Sequence, residues 1–364
     1  MAMVIGGPSR YVQQKNALSE LSSFAKTLGD NLLVLITESG KKRLGTIIED
    51  SSKNSDVKIN FIYFNGECSK KEIERVQKEA KRVGANVLVG IGGGKTMDTA
   101  KAAAYYEKLA VIICPTIASS DAPCSALSVI YSNEGVFEEY LFLSENPNMV
   151  LMDTSIIAKA PSRLIVAGMG DALATYFEAR ACSSSNAINC LNGTGSLTSS
   201  ALGKLCYDTL IKDGYKAKLA TDNKVCTKAV ENIIEANTYL SGIGFESGGI
   251  AAAHAIHNGL TAIDETHDKY HGEKVAFGTL AQLVLENSSI EEINEVLDFC
   301  TSVGLPITLE DLGIKEIKEE EIMKVATLAC AEGDTMNNMP FKVTPIDVYA
   351  AILSANELGQ AYKN

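Results

Sequence analysis

Four short, almost wholly apolar runs and one more mixed run of strand length, Val57 to Phe64, each set among stretches with helical spacing, constrain this chain more than any other feature. The four are Asn31-Leu-Leu-Val-Leu-Ile36, Asn86-Val-Leu-Val-Gly-Ile91, Leu109-Ala-Val-Ile-Ile-Cys114 and Met149-Val-Leu-Met-Asp153. A strand with one wet face alternates apolar and polar residues. Runs without alternation belong to strands covered on both faces, as in a parallel sheet between two layers of helices. The intervening segments fit that reading. Lys15 to Leu28, Lys41 to Asp50, the charged Ser69 to Val83 and Met97 to Glu107 carry apolar residues at helical spacing. Ala126 to Ser132 and Phe137 to Leu143, joined across Asn133-Glu-Gly, read as a β-hairpin. From Pro161 the pattern changes to long helical segments, at 162–181, 196–213, 222–242, 247–258, 272–287, 290–303, 319–332 and 344–362. The expected fold is an α/β domain over residues 1–159, doubly wound with a mainly parallel sheet and a β-hairpin. An all-α domain over 160–364 follows, with the active site in the interdomain cleft.

A length of 364 residues accommodates two such cores. The net charge of -12 is wrong for a nucleic-acid partner, which needs a basic face. Charged, Pro or Gly positions interrupt every apolar run before it could span a bilayer, and no basic segment followed by an apolar one opens the chain. The nine cysteines are odd in number and contain no Cys-x-x-Cys pair, which points to reduced thiols. A cytoplasmic protein without membrane or nucleic-acid partners is expected.

All four histidines, His254, His257, His267 and His271, fall within 18 residues. Neutral imidazole is the commonest metal-ligand side chain and titrates near neutrality, so this clustering points to a metal or acid/base site. His254 and His257 are three apart on a predicted helix and could project to one side, and His271 opens the next helix after a polar loop. Two nitrogen ligands, one carboxylate and an open position make the catalytic arrangement for zinc. The best carboxylate is Asp171, preceded by glycine and followed by Ala172, Leu173 and Ala174, because an acid in so apolar a setting is normally paired or metal-bound. Glu178 competes for that role but reads as an ordinary helix carboxylate. His267, among Asp264, Glu265 and Asp268, reads as solvent-exposed.

Gly92-Gly-Gly-Lys-Thr96 leaves one apolar run and opens a helix, where glycines admit a close ligand and free N–H groups attract phosphate. It is neither a Walker A loop, since Val89 stands where that motif needs glycine, nor a Rossmann fingerprint counted from Gly90, since Lys95 stands at its last glycine. Cys114-Pro-Thr-Ile-Ala-Ser-Ser-Asp-Ala-Pro-Cys-Ser125 leaves the next run rich in small hydroxyl residues. Ligands of open α/β sheets bind outside the carboxyl ends of the strands, so both loops should face one crevice.

Four motifs together resemble the iron-containing alcohol dehydrogenase superfamily over essentially the whole length. They are Gly92-Gly-Gly-Lys-Thr-Met-Asp-Thr-Ala-Lys101, Pro115-Thr-Ile-Ala-Ser-Ser-Asp-Ala-Pro123, Gly170-Asp-Ala-Leu-Ala-Thr-Tyr176 and Gly244-Phe-Glu-Ser-Gly-Gly-Ile-Ala-Ala-Ala-His-Ala-Ile-His-Asn-Gly259. The resemblance implies a metal held by Asp171, His254 and His271, with His257 supporting. It implies a substrate site formed by Asp121, Phe245 and His254. For NAD it points to Gly93, Gly94, Lys95, Thr96, Met97 and Asp98 at the pyrophosphate, then to Thr116 and Ser119, and to Ser125, Leu127 and Tyr131 on the hairpin. Thr37, with Glu38 adjacent, falls where relatives place an acid for the adenosine ribose, and an acid there repels the 2′-phosphate of NADP. Iron-dependent relatives carry a further histidine four residues after the metal aspartate; Thr175 stands here, which favours zinc over iron and the glycerol-oxidising branch.

The activity so implied is NAD-dependent oxidation of glycerol to dihydroxyacetone, reversible and extending to related 1,2-diols, by metal-assisted alkoxide formation and hydride transfer. The family also implies a homo-oligomer, often an octamer. A related enzyme acting on a phosphorylated substrate would need basic residues beside the metal motifs, where Lys274 is nearly alone. A metal- or nucleotide-binding protein without turnover is a further reading, and the failed Walker template weighs against a phosphotransferase.

Overall fold

The computed structural model describes residues 1–364. Every expected run is a strand. The strands are β1 (Tyr11–Gln14), β2 (Asn31–Ile36), β3 (Lys58–Tyr63), β4 (Val87–Gly92), β5 (Ala110–Pro115), β6 (Leu127–Tyr131), β7 (Phe137–Phe142) and β8 (Met149–Asp153). Six form one sheet in the order β1-β8-β5-β4-β2-β3, parallel at every pairing, while β6 and β7 form a separate antiparallel hairpin. β4 and β8 are buried along their whole length, as strands covered on both faces must be. β1 is half-buried at the sheet edge and half polar, so the sequence reads only as an extended start there.

The helices of this part are α1 (Leu21–Ala25), α2 (Glu38–Asp50), α3 (Lys70–Val83), α4 (Gly94–Glu107) and the short α5 (Thr154–Ile157). The helix expected over 15–28 is a 3-10 turn at Ala17–Glu20 followed by α1. From β2 the chain passes outward to β3, then returns across β2 to β4 and continues to β5. The winding therefore reverses between β2 and β4, which opens a crevice at their carboxyl ends. Thr37 stands at one lip of it and Gly93 at the other.

The remaining chain is helical: α6 (Ser162–Ser185), α7 (Leu197–Asp222), α8 (Lys228–Glu235), α9 (Ser241–Gly248), α10 (Ala252–Leu260), α11 (His271–Leu285), α12 (Ile290–Val303), α13 (Glu319–Ala329) and α14 (Pro345–Lys363). α6 is the central rod, buried along most of its length and packed against α7, α9 and α11. The segmentation expected over 196–258 differs from the observed one. α7 runs through a buried Gly214 to Asp222, and α8 continues through a π-helical turn at Ala236–Leu240 into α9. The expected helix 247–258 is split at Gly249, whose φ of 100° no helix accepts. That break frees α10 to start at Ala252 with its own direction, carrying His254 and His257. No helix is long and apolar enough to cross a membrane, and all nine cysteines are free thiols.

Candidate metal centre and nucleotide crevice

Three helices converge on one point. Asp171 comes from the middle of α6, His254 from the first turn of α10, and His271 is the first residue of α11. Their ligand atoms all lie within 4.8 Å of one another. His271 Nε2 is 3.0 Å and His254 Nε2 3.5 Å from Asp171 Oδ1. That buried oxygen nevertheless has no hydrogen-bond partner. An orphaned buried carboxylate oxygen is costly unless something else satisfies it, and a ring of one oxygen and two imidazole nitrogens is the donor set of a three-ligand zinc site. The residues fit a divalent cation.

The approach of α6 and α11 is set by backbone. A Cβ built on Gly272 would lie 1.8 Å from Ala167 O, and one on Gly170 would lie 2.3 Å from Gly272 O. Only glycine permits that contact.

Surrounding groups hold the imidazoles in place. His254 Nδ1 lies 2.6 Å from Glu178 Oε2, while Glu178 Oε1 accepts from His254 N at 2.9 Å and Ala251 N at 2.8 Å. His271 Nδ1 is 2.9 Å from His257 Nε2, His257 Nδ1 is 3.1 Å from Asn258 Oδ1, and Asn258 Nδ2 donates to Asp334 Oδ2 at 3.2 Å. Burial alone would raise the Asp171 carboxyl, but the charge of His271 and then the proximity of His254 outweigh it and hold that carboxyl far below the usual range. Burial would likewise lower His254, but Glu178 and Asp171 pull it up instead. His257 is pushed down by burial first and then by the charges of His271 and His254. His267 is exposed and remote from this group, its Nε2 against Thr261 O at 3.0 Å.

The loop after β5 reaches the same point. Asp121 N donates to Asp171 Oδ2 at 3.2 Å, and Asp121 Oδ2 accepts from Ser241 Oγ at 2.9 Å. Burial and then the charge of Asp171 raise the Asp121 carboxyl. Thr175 shares a 2.9 Å hydrogen bond with Ser241, so the position expected to distinguish zinc from iron sites supports the Asp121 loop. Phe245, one turn beyond Ser241 on α9, is buried.

Along the crevice, Gly93 caps α4, and Thr116 N donates to Gly92 O at 3.0 Å, which joins the two loops. Gly93 and Gly94 are half-exposed and Lys95 is exposed, while Thr96, Met97 and Asp98 are buried. Lys95 pairs with Glu67 at 2.6 Å and lies 5.0 Å from the Tyr131 ring centroid. The Asp98 side chain faces inward, accepting from Val129 N at 3.1 Å and pairing with Lys101 at 3.0 Å. Ser125 is buried with its hydroxyl donating to Ala122 O at 3.2 Å, whereas Ser119 and Leu127 are half-exposed. Thr37 Oγ1 accepts from Gly40 N at 3.0 Å and so caps α2.

Comparison with known proteins places this architecture. The family described as "Iron-containing alcohol dehydrogenase" matches residues 8–154. A glycerol dehydrogenase of Citrobacter freundii is 54% identical over 362 residues, covering 100% of this chain and 99% of that protein. The chain belongs to the iron-containing alcohol dehydrogenase family. A glycolaldehyde reductase of Halobacterium salinarum is 43% identical and spans 100% of both chains. The crystal structure of glycerol dehydrogenase from Schizosaccharomyces pombe superposes with a TM-score of 0.96 at 39% identity, covering 100% of this chain and 92% of that one.

In this iron-containing alcohol dehydrogenase the sequence reading misses several supporting residues. Glu178 is no ordinary helix carboxylate: it is completely buried and accepts from α10. Its position seven residues after Asp171, two turns along one helix face, is the signal that could have found it. Lys101 is buried on α4 and donates to the carbonyls of Ala122, Ser125 and Leu127, gathering the turn between Asp121 and the hairpin. Glu246 accepts from Ala126 N and Asn146 Nδ2, both at 2.5 Å, and so ties the two roots of the hairpin to α9.

Proposed function

We propose that this chain catalyses the NAD-dependent, zinc-dependent, reversible oxidation of glycerol to dihydroxyacetone and accepts related 1,2-diols. The observation that carries the reading is the convergence of Asp171, His254 and His271 within 4.8 Å, directly beside the backbone of Asp121. The full-length similarity to the Citrobacter freundii enzyme gives the substrate class. Residues 1–159 would supply the nucleotide crevice and residues 160–364 the metal ligands.

A divalent cation and a nicotinamide bound there supply Lewis acidity towards an alcohol oxygen and acceptance of a hydride. Asp171, His254 and His271 would hold the cation, a donor set that suits zinc, and Thr175 in place of a further histidine supports zinc over iron. Asp121 would accept from a second hydroxyl of the polyol, and Phe245 and His254 would bound the substrate pocket. The α4 N-terminus at Gly93, Gly94, Lys95 and Thr96 offers free N–H groups to the pyrophosphate, while Met97, whose N–H already donates to Gly93 O, and Asp98 would stand directly behind it. Thr116, Ser119, Ser125, Leu127 and Tyr131 would line the nicotinamide side of the crevice, and Thr37 with Glu38 the adenosine ribose. His257, receiving the outer nitrogen of His271, would fix that ring's tautomer.

The test follows NADH absorbance over a panel of small polyols, ketones and glycolaldehyde, with zinc and then with iron. Glycerol and 1,2-diols should reduce NAD with zinc present. Absence of turnover with every polyol in the metal-loaded protein would reject the reading. Asp121→Ala should raise the glycerol KM by roughly 10-fold or more, the value of a hydrogen bond to a charged group, with little effect on the NAD KM. Equal effects on both would make Asp121 structural.

A further inference from the structure

We infer that Glu178 is a positioning residue for the cation: it fixes the tautomer of His254 so that Nε2 presents a lone pair to the point shared with Asp171 and His271. The inference rests on the metal reading proposed above. The His254 imidazole lies lengthwise along α6, with Nε2 3.5 Å from Asp171 Oδ1 and Nδ1 2.6 Å from Glu178 Oε2. The two carboxylates are seven residues apart, about 10 Å of helix rise. One helix therefore addresses both nitrogens of one ring.

The hydrogen bonds around Glu178 make it an acceptor at both oxygens. Two of its three partners are backbone N–H groups, Ala251 at 2.8 Å and His254 at 2.9 Å. These can only donate, so Oε1 accepts, and a fully buried carboxylate with donors on one oxygen presents its second oxygen to Nδ1 as an acceptor also. The Nδ1 proton then points to Glu178, and Nε2 is the nitrogen that would face a cation. The backbone bonds add a second function. Ala251 stands at the α10 N-cap position with no side-chain cap, because the chain has just broken at Gly249. Glu178 accepts from the buried N–H groups of Ala251 and His254, with Gln282 Oε1 taking Ala253 N, and thus helps set the start of the helix that carries the ligand.

Glutamine at this position cannot reproduce the arrangement. Its single oxygen can face the two backbone N–H groups or the imidazole, but not both. With the oxygen on the backbone, its NH2 meets His254 Nδ1 and drives the ring proton to Nε2, where it blocks the ligand lone pair. With the amide reversed, NH2 opposes two N–H donors.

Zinc affinity, measured on the full-length metal-free protein by competition with a chromophoric chelator, reads this without turnover. Glu178→Gln should weaken zinc binding 10- to 100-fold, the range for outer partners of ligating histidines. In a His254→Ala background the same substitution should change affinity by less than about 2-fold, since residues that act through one another do not add. Affinity in E178Q within about 2-fold of wild type, or an equal loss in both backgrounds, would overturn the inference. If E178Q lacks the wild-type far-UV circular dichroism, Glu178→Asp is read in the same cycle. One methylene shorter, it keeps the charge but cannot reach all three donors, and an undiminished affinity there also overturns the role. A wild-type protein that binds zinc no better than D171N would instead defeat the metal reading itself.

Discussion

If the proposed site is right, Asp171→Asn should remove tight zinc binding and lower kcat/KM for polyol oxidation by roughly two to three and a half orders of magnitude, the 3–5 kcal/mol cost of removing one partner from a buried charge cluster. Asparagine has the shape of aspartate, so packing on α6 is preserved. Its amide oxygen or nitrogen would face the two Nε2 atoms 3.0 Å and 3.5 Å away without a negative charge. The second oxygen also accepts from Asp121 N at 3.2 Å, so an amide turned the wrong way would release the Asp121 loop as well. Two measurements separate the losses: metal content after dialysis reads the first, and glycerol KM at saturating zinc the second. Unchanged metal content with full turnover would remove Asp171 from the site. Chelation of the wild-type protein should reproduce the loss of activity and added zinc should restore it.

Gly272→Ala should disable the site without altering any ligand. Replacing an exposed helical glycine with alanine ordinarily stabilises by about 1 kcal/mol. Here the new Cβ would lie 1.8 Å from Ala167 O, 2.8 Å from Ala167 C and 2.8 Å from Asp171 N. All three are backbone atoms of α6, which cannot swing aside as a side chain can. The start of α11 must therefore retreat, and it carries His271 as the preceding residue. Overpacking of this kind costs roughly 1–3 kcal/mol, which exceeds the propensity gain. A displacement of about 1 Å at a reacting centre costs roughly 100-fold in rate. A lower thermal midpoint with activity reduced by at least that factor is expected. A more stable, fully active variant would show that α6 and α11 do not need this contact.

The parts of the molecule that sequence makes legible share a cause. β2, β4, β5 and β8 lie in the sheet interior, and burial on both faces writes itself into an unbroken apolar run. β1 is an edge strand with polar residues and carries no such mark. The helices over 222–258 divide differently from the sequence reading because the π-helical turn at Ala236–Leu240 joins α8 to α9 with no helix-breaking residue, whereas Gly249 ends α9 by its φ. The histidines stand out by scarcity and Asp171 by its apolar neighbours. Glu178 has similar neighbours, but its partner lies 76 residues downstream, and only folding reveals that a buried acid there meets an imidazole. Ser241, 120 residues from Asp121, is invisible for the same reason. Lys101 looks like one more solvated helix lysine until the turn after β5 folds over it.

Three imidazole rings packed at centroid distances of 4.2, 5.4 and 6.5 Å, with the fourth out on an exposed loop, give this chain a built-in spectroscopic reporter. In a protein of 364 residues most resonances overlap, yet 15N labelling of the histidine ring nitrogens alone would light up four rings and nothing else. The three clustered rings would shift together on loading with a cation while His267 stayed still as an internal standard, so occupancy could be followed in solution without a substrate.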